Sequence, residues 1–140
     1  MSMEKLLTIR QVAAATGLSV HTLRYYEKIG LLCSIHRNEN GYRCYSSMDI
    51  TWIEFLTRLK ATGMPITGML EIAELRRQGD STLTARRILL EEHYRAVQQN
   101  MIELQNNLHL LADKIVTYKE MENNYYASHA SKQKPEKPQK

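Results

Sequence analysis

Apolar residues at alternating spacings of four and three run without a break through Leu90, Tyr94, Val97, Met101, Leu104, Leu108, Leu111, Ile115 and Tyr118. On a helix that spacing is a heptad seam, one apolar stripe on an otherwise polar rod. It predicts a helix over residues 81–122, on the order of 60 Å long at about 1.5 Å per residue. No other segment of the chain is long enough to cover such a stripe, so the simplest partner is a second copy, in a two-fold homodimer. Tyr94, Val97, Met101, Leu104, Leu108, Leu111, Ile115 and Tyr118 are the candidate dimerisation residues.

Upstream the pattern breaks into shorter pieces. Thr8, with Gln11 three residues later, fits a capping box and opens a first helix that runs to about Ala15. Gly17 supplies the left-handed backbone of a tight turn, and Ser19 then caps a second helix, from Val20 to about Lys28, that closes at Gly30. Two short helices joined by such a turn make a helix-turn-helix. Between Leu31 and Tyr45 helical spacing disappears. Asn40 and Gly41 sit among polar and aromatic residues there, which predicts a β-hairpin, a small wing. Ser46 to Asp49 opens a third helix with Ile53, Leu56 and Leu59 on its apolar face, stopped by Gly63. A fourth helix runs from about Ile66 to Gln78. The expected organisation is a head over residues 1–78, a coiled-coil helix over 79–122 and a disordered, basic tail over 123–140.

Size and charge narrow the picture modestly. At 140 residues the chain has room for one reader domain and an extended element, with no space for a large effector-binding domain. The net charge of +4 is spread as +3 over residues 132–140, +2 over 1–80 and −1 over 81–131, so placement of individual arginines must carry any nucleic-acid argument. No apolar run approaches the roughly 18 residues needed to span a bilayer. The start of the chain lacks a secretory apolar core, so a cytoplasmic protein without membrane association is expected.

A helix that reads duplex DNA needs polar side chains on its early turns and a buried face to hold it. The second helix offers Ser19, His21, Thr22, Arg24 and Tyr25 outward and Val20, Leu23 and Tyr26 inward, toward Val12 and Leu18. Ser19 serves equally well as a cap alone, and His21 as a solvated surface residue. In the hairpin, Arg37, Gly41, Tyr42, Arg43 and Tyr45 are candidate DNA contacts, the tip at Gly41 exposing backbone N–H groups to phosphates. No nucleophile and base pair, metal cluster or phosphate-binding glycine loop is legible, so no catalytic residue, metal or cofactor is expected and the protein is not read as an enzyme. A coiled-coil adaptor would account for the heptads as well, but not for the Arg and Tyr placement in the second helix and wing.

The run LRYYEKIGLL at residues 23–32, followed by RNENGYRCY at 37–45, resembles the MerR family of bacterial transcription regulators. The likeness covers about half the chain, residues 7–75, with every motif in order. It implies a mainly α fold: a winged helix-turn-helix DNA-binding domain with a small β-wing, followed by a long antiparallel coiled-coil dimerisation helix. It further implies a homodimer on a palindromic promoter element, bending and untwisting double-stranded DNA so that RNA polymerase engages both promoter elements. Arg24, Tyr25, Arg43 and Tyr45 carry over as DNA contacts and Arg37 and Tyr42 as wing contacts or supports, with Lys60, Thr62 and Thr67 as weaker phosphate candidates.

The resemblance also bears on the signal. Metal-sensing relatives carry cysteines in and after the dimer helix, and none occurs beyond Ser81 here. Short relatives answer to aldehydes, electrophiles or thiol stress through a cysteine, often in the helix matching residues 49–62, where this chain has none. Cys44, between Arg43 and Tyr45, is the candidate thiol sensor, set against the plainer reading of a small wing residue. Cys33 and His36 are too few ligands for a metal site. His93 and His109, on the coiled-coil helix, are expected to hydrogen-bond or face solvent. Operator, effector and the sign of regulation are not written in the sequence.

Overall fold

The computed structural model describes residues 6–32 and 36–130. Its elements follow in order: β1 (Leu7–Thr8), α1 (Ile9–Thr16), α2 (Val20–Ile29), β2 (His36–Arg37), β3 (Arg43–Tyr45), α3 (Ser47–Ala61), α4 (Ile66–Arg77), a 3-10 turn (Asp80–Thr82) and α5 (Leu83–His129). The chain divides into two compact units, Met1–Val97 and Gln98–Lys140, with the boundary inside α5.

Caps fix the short helices. The Thr8 hydroxyl accepts from the Gln11 amide while the Thr8 amide donates to Gln11 Oε1, the reciprocal box expected from sequence. Ser46 and Asp49 repeat the device at the start of α3. Ser19 caps α2 by accepting from the Thr22 amide.

The strands form one antiparallel sheet in the order β1-β3-β2. The hairpin was legible in Asn40 and Gly41, but β1 was not, because two residues are too few to show alternation. Leu7 pairs with Tyr45 and Thr8 with Cys44, so the segment that leads into α1 becomes the third strand of the wing sheet. Gly41 takes φ +81° at the hairpin tip, where Asn38 Oδ1 accepts from the amides of Asn40 and Tyr42.

The core of the first unit gathers Val12 from α1, Leu23 and Tyr26 from α2, Tyr45 from β3, Trp52, Ile53, Leu56 and Leu59 from α3, and Met69, Ile72 and Ala73 from α4. Leu89 and Leu90, at the start of α5, pack against it. The Trp52 indole N–H donates to the Leu31 carbonyl at 2.8 Å in the interior, and the Arg76 guanidinium lies 4.4 Å from its ring centroid. One aromatic side chain thus joins the end of α2, α3 and α4.

In the second unit α5 continues past Glu122 to His129, so residues 123–129, expected in the tail, are helical. Tyr125 contributes a contact within that extension. It stacks on His129 at 4.3 Å between centroids, a one-turn spacing that favours helix. The rest of the expected tail, from residue 131, lies outside the described residues. No described helix is long and apolar enough to cross a membrane.

Replacing Trp52 with Phe would strand the buried Leu31 carbonyl. We expect a loss of about 1–3 kcal/mol in urea unfolding at fixed protein concentration; an unmoved midpoint would mean that the hydrogen bond contributes nothing.

Candidate nucleic-acid interface

Helix α2 buries Leu23 and Tyr26 and keeps His21, Arg24 and Tyr25 exposed, Tyr25 at 48% of its full area. That division is what a recognition helix needs: one face fixed by packing, the other free to meet base edges and phosphates. Ser19 is occupied as the N-cap, its hydroxyl also donating to Thr22 Oγ1 at 3.0 Å.

A groove of about 360 Å³ opens beside α2, lined among others by Arg10, Arg24, Asn38, Gly41, Tyr42 and Arg43. Three arginines from α1, α2 and the wing therefore meet in one concavity, with Tyr42, 68% exposed, at its rim. Across α2 lies a second groove, of about 500 Å³, lined by His21, Thr22, Tyr25, Tyr26, Lys60, Met64, Ile66 and Met69. Helix α2 thus contributes to two grooves, one carrying three arginines and the other Lys60.

The wing is held to α2 by Glu27. Its carboxylate accepts from Arg43 Nε at 2.6 Å, and Arg37 Nη2 lies 4.0 Å away. Arg37 also donates from Nη1 to the Gly41 carbonyl at 2.9 Å, bracing the hairpin tip from within. Both arginines were expected as DNA contacts. The structure gives each of them an internal partner first, and leaves the Arg37 side chain about half exposed and that of Arg43 29% exposed.

Tyr45 corrects the sequence reading. It is fully buried, packed in the core, and so placed it offers DNA no surface. Packing is the reason: Tyr45 joins the core cluster with Leu23 and Tyr26 of α2 and Ile53 and Leu56 of α3, while Tyr42, just before β3, is exposed. Its hydroxyl has no hydrogen-bond partner among the described residues. Burial pushes the phenol above its ordinary range, with the charge of Glu27 adding to the effect.

Of the weaker phosphate candidates, Lys60 lines the second groove and Thr67 is exposed. Thr62 is engaged within the fold, bonded to His93 Nε2 at 2.7 Å. Cys44 is a buried thiol whose Sγ–H donates to the Tyr42 carbonyl at 3.7 Å. The cationic neighbour it was expected to exploit, Arg43, is bound to Glu27. Cys33 lies outside the described residues. Among the described residues no cluster of potential metal ligands occurs.

Sequence reasoning missed Arg10 and gave Glu27 no role of its own. Each had a signal: Arg10 falls in the first turn after the Thr8 cap, and Glu27 is the one acidic residue of α2, set among Arg24, Lys28, Arg37 and Arg43.

On the helix beyond the head, Tyr94, Met101, Leu104, Leu108, Leu111, Ile115 and Tyr118 are all exposed on the single chain, and Val97 is half-buried.

The head is a winged helix-turn-helix, with α1 and α2 as the helix pair and β2 and β3 as the wing. Residues 8–45 match the MerR family regulatory proteins. The HTH-type transcriptional regulator AdhR of Bacillus subtilis (strain 168) is 40% identical over 93 residues, 66% of this chain and 66% of AdhR, so the match spans just under two thirds of that relative. The crystal structure of HiNmlR, a MerR family regulator lacking the sensor domain and bound to promoter DNA, is 34% identical, with a TM-score of 0.76 over 85% of this chain and 94% of that one. A MerR family regulator from Bacillus thuringiensis gives 33% identity and a TM-score of 0.72, over 81% of this chain and 100% of its own. The chain belongs to the MerR family and is a helix-turn-helix transcriptional regulator.

Glu27→Ala should loosen the wing from α2. Amide exchange in β3 is expected to quicken by about tenfold, the loss of one charge-assisted hydrogen bond. Exchange at the wild-type rate would show that packing alone holds the wing.

Proposed function

We propose that the chain is a homodimeric regulator that binds a palindromic promoter element, one head per half-site, and distorts the DNA to control how RNA polymerase engages it. The observation that carries this reading is the meeting of Arg10, Arg24, Tyr42 and Arg43 in a groove along the free face of α2. HiNmlR, bound to promoter DNA, supports it by likeness of fold and sequence. Base edges are read by His21, Thr22, Arg24 and Tyr25, while Arg10, Lys60 and the wing residues Arg37, Gly41, Tyr42 and Arg43 hold the backbone. The Arg43 contact is made with the guanidinium already oriented by Glu27, so little side-chain entropy is lost on binding.

The dimer is supported by the stripe from Tyr94 to Tyr118. Seven large apolar side chains exposed along one face of one helix bury well against a second such helix, and poorly against water. An aldehyde, electrophile or related small-molecule stress is the signal that the family likeness suggests, and an effector screen on the operator complex tests it.

The direct experiment is fluorescence anisotropy against duplexes from the upstream region of the protein's own gene, at several salt concentrations and with an unrelated competitor. Competitor-resistant binding of two protomers per duplex is expected; salt-labile, sequence-blind binding to every duplex would overturn the reading. Arg24→Ala should cost about 1–3 kcal/mol per half-site with the dimer intact, and unchanged affinity would remove Arg24 from the interface. Leu104→Glu together with Leu108→Glu should give monomers by sedimentation. A dimer that survives both charges would place the seam elsewhere.

A further inference from the structure

The turn between α3 and α4 faces two ways. Lys60 lines the groove shared with His21, Thr22 and Tyr25, on the side where α2 is free. Two residues on, Thr62 is the C-cap of α3 and turns to α5. Its hydroxyl proton is shared between the carbonyls of Arg58 and Leu59, at 3.0 and 3.1 Å. The oxygen also lies 2.7 Å from His93 Nε2, a hydrogen bond in which the imidazole tautomer decides which of the two groups donates.

The partners are 31 positions apart in sequence, so this bond is a tertiary tie. Other polar ties of the first turns of α5 run to the corner just before it: Arg86 donates to Thr82 Oγ1 and to the Gly79 carbonyl. Leu89 and Leu90 add packing against the core, which resists separation but restrains rotation weakly. The Thr62–His93 bond, about one turn further along, adds a directional contact beyond those leucines.

We propose that His93 is a positioning residue whose hydrogen bond to Thr62 locks α5 to the DNA-facing α3–α4 turn and thereby sets the half-site spacing that the dimer accepts. The inference rests on the operator-binding dimer described above. In such a dimer each head is presented through its own α5, so play at this joint becomes play in the separation of the two recognition helices. One base pair moves a half-site by about 3.4 Å and turns it by about 34–36°. A locked joint penalises that change and a loose one absorbs it.

The test uses the full chain and an operator series with the centre native, one base pair longer and one shorter. The readout is the ratio of affinities for native and altered spacing, which a general loss of stability would not move. Wild type should discriminate clearly. His93→Ala should narrow the ratio by about fivefold, the worth of one neutral hydrogen bond. Thr62→Val should do the same, and the double variant should go no further. His93→Gln, whose side-chain amide can donate or accept from a similar reach, should restore discrimination. The proposal is overturned if His93→Ala keeps the wild-type ratio, if His93→Gln behaves like His93→Ala, or if wild type accepts all three spacings alike. Absence of any sequence-specific binding by wild type brings down the operator reading itself, a distinct result.

Discussion

The C-terminal end of α2 is the point on which the head depends. A helix ends with carbonyls that have no partner of their own, and a net negative pole. Here the chain leaving α2 is met from three sides: Trp52 of α3 donates to the Leu31 carbonyl, Arg77 of α4 donates to the Gly30 carbonyl at 3.0 Å, and Arg43 of the wing binds Glu27 in the last turns. Every donor is part of another element, so satisfying one helix end also fixes α3, α4 and the wing around it. The N-terminal turn of α2 is held by its cap, Ser19, and by Leu23 in the core, and its exposed residues His21, Arg24 and Tyr25 are aimed outward.

This arrangement explains how a chain with modest overall charge makes a concentrated basic surface. The arginines of the first groove come from α1, α2 and β3, which are remote in sequence and adjacent only because α2 is clamped where it is. Glu27 neutralises part of that charge, yet it orients Arg43 and draws in Arg37. A carboxylate at this point lets like charges gather close together without splaying the wing away from the helix.

Helices, caps and the wing tip were legible because each rests on a local signal: Thr8 with Gln11, Gly30, Asn40 with Gly41, and the unbroken four-three spacing from Leu90. β1 was not, since a two-residue strand is created by its partner and has no pattern of its own. In the candidate site, the exposure of Arg24 and Tyr25 was legible from helix phase. Tyr45 was misread because motif resemblance assigns a residue type to a surface without fixing which way a three-residue strand turns it. Arg10 was missed because its relevance depends on the fold bringing α1 beside the wing. The helical stretch after Glu122 was hidden by polar residues that, without Tyr125 and His129 one turn apart, read as tail.

The two ends of the β2–β3 hairpin differ in how much change in length they tolerate. At its base Tyr45 is core, Ser46 is the N-cap of α3 and Ser47 is already helical, so no slack residue separates strand from helix. An insertion there would shift strand register, reversing the faces of Cys44 and Tyr45, and would break the capping box as well. At the tip, residues 38–42 are exposed and bonded mainly to one another. Added residues there disturb those exposed bonds and leave the core alone. Among descendants of this chain, insertions and deletions should therefore accumulate at the end of the wing that reaches away from the head, letting the reach of the wing vary while the recognition helix beneath it keeps its seat.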